Sequence, residues 1–141
     1  MGIIFSIVAG ILMSIQGVFN TNVGKKIGLW ETSIVVQGVA LVSTIIIFLF
    51  MRNGNWSALG SVNKLYLTGG IIGALITVTV MLGMNNLGPT YAVTLILIAQ
   101  LLAAALIEAF GIFGVEQLRF GINKYLGLVM MIIGIIIFKY K

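Results

Sequence analysis

Gln16, Asn20, Gln37, Gln100 and Glu108 stand within, or at the end of, long apolar stretches in a chain of 141 residues. A side-chain amide carries both hydrogen-bond donors and an acceptor. In an apolar stretch it either ties one helix to another or contacts a polar solute. Gln16 and Asn20 are four residues apart, a spacing that puts them on one helix face. Gln100, Ala104 and Glu108 repeat that spacing. Glu108 is the acid inside such a stretch, where a carboxylate can carry a proton or meet a cation. Trp30, Tyr91, Met81 and Met84 could wall a path, the aromatic rings through cation–π contact. These residues predict a site for a small polar or cationic metabolite. Gln16, Asn20, Gln37, Gln100 and Glu108 are its polar contacts, and Trp30, Tyr91 and Met81 its apolar ones. Thr77, Thr79 and Thr94 are expected to bond to their own helix backbone instead.

Other chemistries lack their residues. The chain has no Cys and no His, which removes disulfides, thiolate or imidazole metal sites and the commonest general base. The remaining acids, Glu31 and Glu116, flank the apolar stretches. Glu31 reads as a favourable charge at a helix start, and Glu116 with Arg119 as a solvated loop pair. The expectation is a protein that is not an enzyme and takes no metal and no cofactor.

The elements that position these residues follow from composition. Charged residues make up 8% of the chain and hydrophobic ones 60%, against about 25% and 45–50% in a soluble domain. So short a chain cannot bury that much apolar surface in water, which predicts an integral membrane protein. The net charge of +5 does not point to nucleic acid. Its basic residues are scattered between apolar runs and read as anchors to lipid headgroups. Runs of about 20 residues predict an all-α fold in one transmembrane domain, 1–141, with helices at about 3–23, 32–51, 65–85, 90–110 and 124–138. The fifth is short unless Phe120–Asn123 join it. Residues 53–64 form a loop with Trp56 at headgroup level, and Asn85-Asn86-Leu87-Gly88-Pro89 a tight turn. The first run lacks a basic leader and holds Gln16, Asn20 and Asn22, so it reads as a helix and not a signal peptide.

Orientation is set by Lys and Arg near the membrane. Arg52, Lys64, Arg119 and Lys124 fall on one side; Lys25, Lys26, Lys139 and Lys141 fall on the other. The balance predicts that both orientations are made and that two opposed copies pair, as in transporters built from inverted repeats. Small residues that let helices approach recur in Gly69-x-x-x-Gly73, at Gly10, Ser14 and Gly17, and at Ala99, Ala103, Ala104 and Ala105. The last helix has no polar residue between Tyr125 and Phe138. Its Gly127 and Gly134 share one face and are the expected dimer interface.

The pattern G-x5-Q-G-x2-N-x3-G-x3-G from Gly10 resembles the opening of the YdcZ-like proteins. So do Gly69-Gly70-Ile71-Ile72-Gly73-Ala74, Leu87-Gly88-Pro89, Ala99-Gln100-Leu101 through Glu108-Ala109-Phe110-Gly111-x-x-Gly114, and Gly127-x6-Gly134. This is a bacterial branch of the drug/metabolite transporter superfamily. The resemblance implies a five-helix inner-membrane unit that works in pairs, and a distant similarity to small multidrug resistance proteins. In the YdcZ-like proteins an Asp often stands where Glu108 does. The multidrug proteins carry a proton-exchanging Glu in helix 1; helix 1 here has no acid, and Gln16 is its nearest polar residue. The combined expectation is a dual-topology transporter subunit in the bacterial inner membrane. It pairs as an antiparallel homodimer of ten helices and moves its substrate by alternating access. A passive channel for a small solute and a non-transporting partner subunit are the alternatives.

Overall fold

The structure, a computed structural model, describes residues 1–118 and 121–139. The expectations for Arg119, Phe120 and Lys141 lie outside the described residues. Helices α1 (Gly2–Ile27), α2 (Leu29–Met51), α3 (Gly69–Leu87), α4 (Pro89–Phe110) and α5 (Ile122–Lys139) make the chain all-α. Each is long and apolar enough to cross a membrane, α3 together with the 3-10 turn Lys64–Thr68 that leads into it. The chain forms two compact units, Met1–Asn86 and Leu87–Lys141.

Helix α3 starts at Gly69, later than expected, behind a 3-10 turn, whereas α1 runs past its expected end and α2 starts before its expected beginning, and the reason for these two is electrostatic. Lys25 and Lys26 occupy the last turn of α1 and Glu31 the first turn of α2. Each sign complements the partial charge of its helix end. The charges therefore mark where the apolar run stops and not where the helix does. A single residue, Gly28, separates the two helices. Its φ of 101° and ψ of 160° lie in a region open essentially to glycine alone. Its N–H donates to the Gly24 carbonyl at 3.0 Å, and its own carbonyl accepts from the Thr32 N–H at 3.1 Å.

Elsewhere in the first unit, the expected loop at 53–64 is partly ordered by asparagines. Asn55 accepts from the Ser57 N–H at 3.1 Å and Asn63 from the Leu65 N–H at 3.0 Å, starting two 3-10 turns. Trp56 meets Phe48 edge to face with ring centres 5.7 Å apart. Helix α1 approaches α3 through its glycines. Met84 and Val80 sit against Gly17, and Met81 against Gly24. Met81 and Met84 are buried there, and Val78 is buried on the same helix. Unbranched methionine fills the notch that a glycine leaves.

In the second unit, Gly88 (φ 80°, ψ 157°) precedes Pro89, the first residue of α4, where a missing N–H costs nothing. The turn falls within the predicted stretch but is confined to Gly88, because Asn85, Asn86 and Leu87 continue α3. Helix α4 ends at Gly111 in the left-handed region, φ 61°. The following loop folds back to cover its last carbonyls. Leu118 N–H donates to Glu108 O at 3.1 Å, and Gln117 Nε2 donates to Ala109 O at 2.8 Å. Helices α4 and α5 pack antiparallel: Lys124 near the start of α5 meets Glu108 near the end of α4, and Lys139 at the end of α5 lies over the Tyr91 ring near the start of α4.

Candidate functional site

Polar side chains in the helices fall into two groups. Most of the hydroxyls are satisfied locally. Ser6, Ser14, Thr21, Thr32, Thr44, Thr77, Thr79 and Thr94 each donate to a carbonyl four residues back, at 2.6–3.0 Å. This is the self-sufficient bond expected of hydroxyls in helices. The amides differ. Among the described residues, Gln16, Asn20, Gln37 and Gln100 have no hydrogen-bond partner within their own unit. Bonds between helices, the alternative role of these amides, are not made within either unit.

Gln16 and Asn20 lie together in a groove of about 530 Å³ along α1, with Ala9, Leu12, Met13, Ile15 and Phe19. The face of α1 bearing Gly17 and Gly24 is the one that packs on α3. Asn20, three residues after Gly17 and four before Gly24, shares that face, and Gln16 lies at its edge. Asn20 is only 8% exposed, yet it still borders the groove. Gln37 is exposed on α2, with its Nε2 3.7 Å from where a side chain on Gly73 would begin. Trp30 is 60% exposed on the first turn of α2. Met81 has no exposed surface and fills the space beside Gly24.

The second unit holds a larger cleft, about 600 Å³, between α4 and α5. Leu101, Ala104, Ala105, Gly127, Leu128, Met130 and Met131 line it, with Glu108 and Lys124. Glu108 Oε2 is 3.3 Å from Lys124 Nζ, and both side chains are partly exposed. Ala104 and Glu108 of the predicted stripe border this cleft; Gln100 stands exposed on α4 and does not. Gly127 borders the cleft, and neither Gly127 nor Gly134 has an atom within 4 Å of where a side chain would begin.

The family model described as "Putative inner membrane exporter, YdcZ" matches residues 1–137. The chain belongs to the YdcZ family. No curated protein and no solved structure matches it. With five helices fit to span a bilayer, this YdcZ-family chain is a multi-pass protein of the inner membrane, and its family description is that of an exporter.

Two features of this YdcZ-family chain escape a reading of the sequence. Lys124 reads as a membrane anchor, but it is the ion-pair partner of Glu108 across sixteen residues. Only the position of each residue, one at the end of an apolar run and the other at the start of the next, hints at the pairing. Gln117 reads as a loop residue, but it closes the end of α4. No group of His, Cys, Asp or Glu suited to a metal occurs among the described residues.

Proposed function

We propose that this chain is one half of an exporter that moves a small polar or cationic metabolite by alternating access. Two copies in opposite orientation form an antiparallel homodimer of ten helices. The observation that carries the reading is the set of amides without partners inside their units, two of which share the α1 groove. A polar group kept in hydrocarbon needs a hydrogen bond. Most hydroxyls find theirs on the backbone; the amides find theirs on a solute or on the second copy. The equal division of basic residues supports both orientations. The open faces at Gly127 and Gly134 give α5 a smooth surface for pairing. In this reading Trp30 belongs to the wall of the path. Tyr91 is engaged by Lys139 and Met81 is enclosed, so both act through packing. Glu108 is the span carboxylate through which a coupling proton passes, with Lys124 as its resting partner.

The test is a screen of small polar solutes for thermal stabilisation of the purified protein, followed by efflux of each hit from proteoliposomes. Efflux is expected to saturate. It should fall about tenfold in Gln16→Leu, the size of effect that about 1.4 kcal/mol of lost transition-state contact gives. Glu108→Gln should fold normally and lose its response to a proton gradient. Flux that rises linearly with solute concentration would mark a passive channel, and no flux for any hit a non-transporting subunit. Reporters fused to the C-terminus should appear on both faces of the inner membrane.

A further inference from the structure

We infer that the α1 groove selects an uncharged molecule bearing an amide or lactam group on an apolar body, and rejects cations and anions. The inference rests on the transport reading above and narrows its substrate class. Asn20 is more than nine-tenths buried, borders the groove and has no hydrogen-bond partner among the described residues of its unit. Gln16 stands one turn away on the same face, with Cβ atoms about 5–6 Å apart in such a pair. Each amide offers an acceptor oxygen beside donor N–H groups. That edge is self-complementary with another amide, which presents the same two functions in reverse order. Phe19, Met13 and Leu12 supply the apolar surface on which the body of the molecule lies.

Charge decides against an ion. Among the described residues, no ionisable side chain borders this groove. A cation or an anion moving into it leaves its hydration behind and meets only dipoles, a loss that hydrogen bonds to neutral groups do not recover. A neutral amide loses far less on leaving water and regains its hydrogen bonds from Asn20 and Gln16.

Benzamide, benzamidinium and benzoate have nearly one shape and differ in charge, so they isolate this property. Their binding is measured on the purified full chain in detergent micelles by equilibrium titration. Benzamide is expected to bind at least tenfold more tightly than either ion, and to lose about tenfold in Gln16→Leu. Asn20→Asp keeps the size of the side chain and supplies a negative charge. It should reverse the order, with benzamidinium the tightest of the three. Benzamidinium or benzoate binding as tightly as benzamide to the unaltered chain would overturn the inference, as would no binding of any probe or an unchanged order in Asn20→Asp. Efflux from proteoliposomes separates the two levels. Selective benzamide binding without efflux of any solute would sink the transport reading alone. Efflux of a cationic solute with no benzamide selectivity would sink this inference alone.

Discussion

Gly28→Val is expected to lower the stability of the first unit by roughly 3 kcal/mol, near the upper end of what a residue held in a forbidden backbone region costs. At φ 101° and ψ 160° a β-branched side chain has no allowed rotamer without backbone movement. A side chain at this position would also run into the carboxylate of Glu31. Either α1 and α2 re-angle or the last turn of α1 unwinds. Unwinding frees the Gly24 carbonyl, which now accepts from the Gly28 N–H. Thermal melting of the purified protein in detergent, followed by circular dichroism and by retention as a single species on size exclusion, checks the result. Gly28→Val with Glu31→Ala separates the two causes. Recovery of most of the loss would assign it to the collision, and little recovery to the backbone. A melting temperature unchanged in Gly28→Val would show that this joint is not held in the glycine-only region.

Gly17→Leu should cost about 1–3 kcal/mol, the usual penalty for extra atoms in a close-packed contact. A Cβ there would stand 2.5 Å from Met84 Cε and 3.2 Å from Val80 Cγ1. The methionine end can swing aside, so Gly17→Ala should be mild. The valine methyl cannot, and the further carbons of leucine would have to push α1 away from α3. Gly10 is the internal control. It lies on the same helix with nothing within 4 Å, so Gly10→Leu should melt close to the unaltered protein. Equal melting of Gly17→Leu and Gly10→Leu would mean that α1 and α3 do not meet at Gly17.

These two positions also show what a sequence can and cannot declare. The spans are legible because hydrocarbon thickness sets a length of about 20 residues, and uncharged runs of that length are visible one residue at a time. The Pro89 turn is legible because proline and glycine act locally. The self-bonding of Thr77, Thr79 and Thr94 is legible for the same reason, since their acceptors are four residues back. Helix ends at 27 and 29 are not, because a charge that ends an apolar run can still stabilise one more helical turn. Met81 looks from its type like a wall residue. Its enclosure beside Gly24 depends on how α3 lies against α1, which no single helix reveals. The pairing of Glu108 with Lys124 depends on the path of the loop after Gly111, and the unpartnered state of the amides on the placement of whole helices. Gln16 and Asn20 were recognisable as one face; that Asn20 is buried beside the glycines that meet α3 is a tertiary fact.

The one-residue joint at Gly28 also limits how the protein can be probed. Endoproteases grip several residues of extended chain, and epitope tags need a flexible seat. Between Ile27 and Leu29 there is neither, and the joint between Leu87 and Pro89 is equally terse. Footprinting reagents that need a loop will report from the segment around Trp56 and the stretch after Gly111, and stay silent at these two corners. A blank signal there signifies brevity, not concealment by lipid. Small thiol-directed labels on cysteines placed at Lys25 or Lys26 are the probes that fit.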